Sequence, residues 1–208
     1  SYADLIGFTK NFIIYDDSEA MTVIKDCQKR LNIDEKRISA KAIRAAIAKA
    51  KDEMLAPEQY KDSVPQNDYV YRKYADVYEM YQKTLKANNA MDFDDMVLMT
   101  IQLFENNPDV LSYYQERFRY ILVDEYQDTN PSQSALVEKL AGGKRNVCVV
   151  GDDDQSIYSF RGATVRNILE FDEVFPDARV IKLEQNYRST QNILSAANAV
   201  IQNLSLIH

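Results

Sequence analysis

Glycine is scarce in this chain, and the shortage bounds its chemistry. Only Gly7, Gly142, Gly143, Gly151 and Gly162 occur in 208 residues. None is placed to make G-x-x-x-x-G-K-[ST], the loop whose backbone amides cradle nucleotide phosphates. Histidine and cysteine are nearly missing too: His208 is the final residue, and Cys27 and Cys148 stand far apart, each within an apolar pattern. That supply excludes metal sites of the His and Cys kind and points to two buried, reduced thiols rather than a disulfide. No apolar run approaches the roughly 20 residues of a membrane span. Ser1-Tyr2-Ala3-Asp4 has neither the charged nor the apolar region of a signal peptide. The expectation is a soluble, cytoplasmic chain without membrane partners. Positive charge is also short. A net charge of −7 and a pI near 4.9 argue against capture of nucleic acid by the whole surface, so any such binding has to be local.

What is present suffices for a sizeable core, since 46% of the residues are hydrophobic, in one large domain or two small ones. From about residue 16 to 118 the pattern is helical. Asp17 or Ser18 can cap a helix carrying Met21, Ile24, Cys27 and Leu31. A second helix over 39–54 puts Ala42, Ile43, Ala46, Ile47 and Ala50 on one face. Pro57 and Pro65 punctuate the stretch after it. A third over 67–87 carries Tyr71, Tyr74, Tyr78, Tyr81 and Leu85 as a stripe and ends at Asn88-Asn89. Asp92 looks like the cap of a helix stopped by Asn106-Asn107-Pro108, and one more spans 109–118. Beyond Tyr120 short apolar strands (120–123, 147–150, 180–183) alternate with helices (131–140, 164–171, 190–204), as in a parallel sheet of βαβ units. The fold class is therefore α/β, with a helical region ahead of part of an α/β core.

The first strand stops at two acids, in Ile121-Leu122-Val123-Asp124-Glu125-Tyr126-Gln127-Asp128. A strand that buries its body and presents carboxylates at its C-terminal end suits phosphoryl transfer. Asp124 can hold Mg²⁺ and Glu125 can accept a proton from water, although adjacent acids also serve as plain turn formers. The second strand ends in Gly151-Asp152-Asp153-Asp154-Gln155-Ser156-Ile157-Tyr158, where Gln155 can sense a phosphate or water by hydrogen bonding. The third ends in Leu183-Glu184-Gln185-Asn186-Tyr187-Arg188-Ser189, offering an aromatic face and a guanidinium able to stabilise charge on a transferring phosphoryl group.

Three of these runs, in order, resemble motifs II, III and IV of the PcrA/UvrD/Rep group of superfamily 1 DNA helicases, nearest its PcrA branch. They are Asp124-Glu125-Tyr126-Gln127-Asp128, the Gly151 run continued through Arg161-Gly162-Ala163, and Glu184-Gln185-Asn186-Tyr187-Arg188-Ser189. Met91-Asp92-Phe93-Asp94-Asp95 resembles the segment that leads from the helical 1B subdomain back to the core, so the likeness covers almost the whole chain. The resemblance implies a partial RecA-like P-loop NTPase core, a parallel sheet with flanking helices, behind an all-helical 1B subdomain. The expected division is 1B over 1–90, the C-terminal half of 1A over 91–188, and the start of 2A over 189–208.

The same resemblance implies the roles. Asp124 binds the Mg²⁺ of MgATP, Glu125 is the catalytic base, and Gln155 contacts the γ-phosphate. Tyr187 stacks on adenine, and Arg188 acts as an arginine finger. Tyr158, Phe160 and Arg161 meet single-stranded DNA, with Phe160 standing where many relatives have Trp and offering a smaller stacking face. The implied activity is ATP-driven translocation on single strands and unwinding at DNA junctions, in repair or replication. The missing phosphate loop makes the chain look like an internal fragment, inactive alone and open to self-association through an exposed sheet edge. Two other readings use the same residues: a non-catalytic DNA- or protein-binding module, and a helicase-nuclease subunit of the AddA or RecB kind.

Three further features carry a plain reading beside the sharp one. Lys41, Arg44 and Lys51 lie on one helix face and can touch DNA phosphates, but a solvated charged face is simpler. The tyrosine stripe can stack bases, but a row at helical spacing is more simply core. Asp152, Asp153 and Asp154 are expected to cap their loop and form no second metal site, and Asp94 and Asp95 to be first-turn acids.

Overall fold

The computed structural model describes residues 2–156 and 162–205. A 3₁₀ turn (Ala3–Ile6) comes first, followed by a short strand that the sequence pattern did not announce, β1 (Ile13–Tyr15). Helix α1 (Asp17–Arg30) comes next, capped one residue earlier than expected. The Asp16 side chain accepts from the Glu19 amide while the Glu19 carboxylate accepts from the Asp16 amide, which satisfies two orphan donors at once. Helix α2 (Ala40–Asp52) is capped by Ser39, and α3 (Pro57–Ser63) starts on a proline that has no amide to waste there. Asp68 caps α4 (Tyr69–Ala87). Strand β2 (Ala90–Asp92) runs parallel to β1, with Ile13 opposite Ala90 and Tyr15 opposite Asp92.

Helices α1 to α4 enclose one core. Ile24, Cys27, Ile43, Ile47, Val77, Tyr78, Tyr81 and Leu85 are all essentially inaccessible to solvent. The tyrosine stripe is therefore core at its lower end, while Tyr71 is exposed and Tyr74 half-buried. The buried Tyr78 hydroxyl donates to the Leu55 carbonyl at 3.0 Å, and its ring meets Tyr60 edge-on.

The basic face expected on α2 is not a solvated face. Lys41 is exposed, but Arg44 bridges Asp94 at 2.9 Å and Asp17 at 3.3 Å. Lys51 is fully buried, with its ammonium 2.7 Å from Asp92 and 2.8 Å from Asp95. The Tyr81 hydroxyl donates to Asp92, and the Gln82 amide donates to Asp95. Burial raises both carboxyls and Lys51 opposes it; the balance leaves Asp92 below the usual range and Asp95 above it. Asp95 is thus more than a first-turn acid, because it completes a buried ion cluster that joins α2, α4 and the next helix.

That helix is α5 (Phe93–Asn106), capped by Asp92, and α6 (Pro108–Arg117) continues directly from it. Strand β3 (Ile121–Val123), helix α7 (Pro131–Ala141) and strand β4 (Val147–Val149) form a parallel βαβ unit with Leu122 opposite Cys148. Cys148 is exposed, against expectation, because it lies with Leu122 on a face of this two-stranded sheet that no described element covers. The segment 164–171 divides into α8 (Arg166–Leu169) and α9 (Phe171–Val174), since Glu170 leaves helical geometry. Residues 180–183 form no strand. Val180, Ile181 and Leu183 are exposed and unpaired with either β3 or β4, and an apolar run becomes a strand only where a neighbour completes its ladder. Helix α10 (Gln191–Ser205) ends the described chain. The described residues make a mixed α/β molecule with a helical core and two small parallel sheets. Among the described residues, no helix is long and apolar enough to cross a membrane.

Candidate active site

The acids at 124–125 stand where β3 and β4 are locked together at their ends. The Val150 amide donates to the Val123 carbonyl at 2.8 Å, and the Tyr126 amide returns the bond to the Val150 carbonyl at 2.9 Å. Glu125 sits between these bonds at φ 50°, in the left-handed region that an ordinary side chain adopts at a cost of about 1–3 kcal/mol. Its amide donates to the Asp124 carboxylate at 3.0 Å. Tyr126 anchors the turn: it is buried, its hydroxyl bonds Ser134 of α7 at 2.8 Å, and its ring meets Phe171 edge-on. The turn therefore points Tyr126 inward and leaves both Asp124 and Glu125 exposed.

Gln127, to which no role was assigned from sequence, joins the two strand ends. It is buried, and its amide nitrogen donates to Glu125 Oε2 at 2.7 Å. Its carbonyl oxygen accepts from the Asp152 amide at 3.1 Å. Gly151 is needed for that approach, since a Cβ there would lie 2.5 Å from Gln127 Oε1 and 2.7 Å from Ile168. Asp152 in turn caps the short turn Asp153–Gln155, accepting from the Asp154 amide and, at 2.7 Å, from the Gln155 side-chain amide. A continuous hydrogen-bonded line thus runs from Glu125 through Gln127 and Asp152 to Gln155. The only trace of it in the sequence is a glycine directly after an apolar run and before an acid.

Asp124, Glu125 and Gln155 are brought together. Tyr187 and Arg188 stand on a different segment, where the Asn186 side chain accepts from the Arg188 and Ser189 amides in an Asx turn. Tyr187 is 93% exposed, its ring free to take a stacking partner. Tyr158, Phe160 and Arg161 lie outside the described residues.

Chemically, an exposed aspartate beside a glutamate at a strand end suits a magnesium ion. Magnesium in phosphate sites takes one or two carboxylates and fills its remaining positions with phosphate oxygens and water. Among the described residues there is no group of three or more His, Cys, Asp or Glu able to build an all-protein cage. One oxygen of Glu125 is oriented by Gln127, and the side chain remains open to solvent, which is the disposition of a base that takes a proton from water.

Comparison with known proteins gives the chain its relatives. The family model for the UvrD/REP helicase N-terminal domain matches residues 1–176. The ATP-dependent DNA helicase PcrA of Staphylococcus epidermidis is 51% identical over 203 residues, which is 98% of this chain and 28% of that relative. PcrA of Staphylococcus aureus is 50% identical over the same length, with the same coverage. The chain spans between a quarter and a third of the length of the curated relatives it matches.

Proposed function

The chain belongs to the UvrD/REP helicase family, and from that premise we propose that it supplies the metal and water side of the ATP site of a longer, ATP-dependent DNA helicase. The observation that carries this reading is the hydrogen-bonded line from Glu125 to Gln155, which ties a candidate base to a candidate phosphate sensor in the turn beyond the neighbouring strand. Asp124 holds the magnesium of MgATP, which neutralises charge on the phosphates and orients them for attack. Glu125 takes the proton of the attacking water, with Gln127 setting its carboxylate. Gln155 reads the γ-phosphate and passes its state to the loop of Tyr158, Phe160 and Arg161, which stack on and pair with single-stranded DNA. Tyr187 stacks on adenine, and Arg188 stabilises charge on the transferring phosphoryl group.

In this reading residues 1–90 are the helical 1B subdomain, 91–188 the C-terminal half of a RecA-like 1A domain, and 189–208 the start of 2A. The phosphate loop comes from elsewhere in the full-length protein, so the 208-residue chain alone hydrolyses no ATP above background. The partners are single-stranded DNA and DNA junctions, and the unpaired edges of the two-stranded β3–β4 sheet let the isolated chain self-associate.

The test is strand separation by the full-length protein. Unwinding of a tailed duplex is expected with ATP and Mg²⁺, and chelation of the metal or Asp124→Ala abolishes it. Unwinding that survives either change overturns the assignment of Asp124.

A further inference from the structure

Asp52, the last residue of α2, is buried and makes its contacts outside the helical core. Its Oδ1 accepts from the Asn130 side-chain amide at 2.6 Å. Asn130 directly succeeds the 124–129 turn and caps α7, its own oxygen accepting from the Gln133 amide and the Ser132 hydroxyl. The other Asp52 oxygen lies against Gly162. That glycine holds φ +75°, and a Cβ on it would run into the Asp52 carboxylate. The 162–167 segment is fastened to the same place. The Thr164 amide donates to the Thr129 carbonyl, and the Asn167 side chain donates to Thr129 and Asn130. One carboxylate from the helical region thus meets the end of the turn bearing Asp124 and Glu125, and also Gly162, which directly follows Tyr158, Phe160 and Arg161 in the sequence.

We propose that Asp52 is a positioning residue that clamps the hydrolytic turn and the 162–167 segment, which follows the DNA-contacting residues in sequence, to one point of the helical region, so that the two move together. The proposal rests on the helicase reading above. Without Asp52, the Asn130 amide loses its buried acceptor and Gly162 loses the wall it rests on. The 162–167 segment then shifts independently of the acids, and DNA engagement is transmitted poorly to hydrolysis. ATP is not touched by Asp52, so nucleotide affinity is spared.

The state of the carboxyl supports a second readout. Burial pushes Asp52 up to about 7, helped by Asp94 of α5 and by Glu53 at the end of its own helix, and opposed by Arg44 of α2. Asn130 of α7 and Gly162 present no charge to it. The ionised form accepts from Asn130 more strongly than the protonated one. Coupling therefore tightens as pH rises through neutrality.

The experiment is ATP turnover by the full-length protein with and without single-stranded DNA, for wild type, Asp52→Ala, Asp52→Asn and Glu125→Gln. Asp52→Ala is expected to lower the DNA-stimulated kcat by about tenfold with the KM for ATP within about twofold, the size of loss that a small misplacement of reacting groups produces. Asp52→Asn keeps an acceptor for Asn130, stays within about threefold of wild type, and loses the rise in stimulated rate between about pH 6 and pH 8. An unchanged stimulated kcat in a folded Asp52→Ala protein overturns the proposal. Where Asp52→Ala fails to fold, Asp52→Asn decides, and a pH rise that survives it overturns the proposal equally. Glu125→Gln separates the two readings: turnover retained there refutes the assigned base, whereas turnover lost there with Asp52→Ala unaffected refutes only the clamp.

Discussion

The helical region and the βαβ unit bury their residues on opposite terms. In the first, Ile43, Ile47, Tyr78 and Tyr81 are sealed within one core, and even a lysine and two aspartates are taken inside with every partner supplied. In the second, the middle residue of β3, Leu122, is 77% exposed, Cys148 opposite it is exposed, and the residues with chemical potential face solvent. Stability is concentrated where there is little chemistry, and the candidate chemistry stands where little is buried. The motif strands are therefore a presenting edge, held in register by Tyr126, Gln127 and Asn130 rather than by a core of their own.

The largest expected effect is at the buried ion cluster. Lys51→Met leaves Asp92 and Asp95 facing one another without a cation, and unfolding of the chain by urea should show a loss of about 3–5 kcal/mol. A loss below about 1 kcal/mol would show that the cluster adds little to the helical core. Next is the direct contrast of two aliphatic truncations. Ile47→Ala should destabilise by about 2–5 kcal/mol, and Leu122→Ala by no more than about 0.5 kcal/mol. Similar values for both would break the comparison. Gln127→Ala should slow DNA-stimulated hydrolysis by the full-length protein about tenfold or more, because the base loses its orienting donor and the link to Asp152 is cut. A rate unchanged from wild type would mean that the hydrogen-bonded line is not used.

The smallest effect concerns Asp52 and acidity. Its carboxyl is held up at about 7 in the folded chain, so the folded state binds the extra proton and loses stability as pH rises from about 4 through about 7. Asp52→Asn cannot ionise. Its melting temperature should exceed that of wild type by about 3 °C or more at pH 8, with that gap reduced by more than half at pH 5. A gap that is the same at both pH values would place the ionisation elsewhere.

Much of this arrangement was legible in the sequence. The helices of the first region announced themselves through apolar spacing and caps, and Asp124, Glu125 and Gln155 were readable because strands ending in polar runs leave a local signature. What was not legible depended on partners distant in the chain. Strand β1 is three residues long and exists only because residues 90–92 lie beside it. Residues 180–183 have a strand's composition, yet a ladder requires a neighbour. Lys51 reads as a surface charge on a helical wheel, and its burial depends on Asp92 and Asp95 some forty positions onward. Gln127 and Asp52 carry no motif of their own, because their importance lies in whom they touch across 25 and 78 residues of chain.

Glu125 is the proposed base of an ATP-hydrolysing site, on an edge that contributes little to stability. The most direct measurement is DNA-stimulated ATP turnover by full-length protein carrying Glu125→Gln, alongside its ATP affinity and its unfolding midpoint. The expected result is a fall in turnover of about 10²–10⁴-fold with affinity and midpoint unchanged, as loss of a general base produces. Turnover within about threefold of wild type, or a loss matched by a collapse in stability, would refute that role for Glu125.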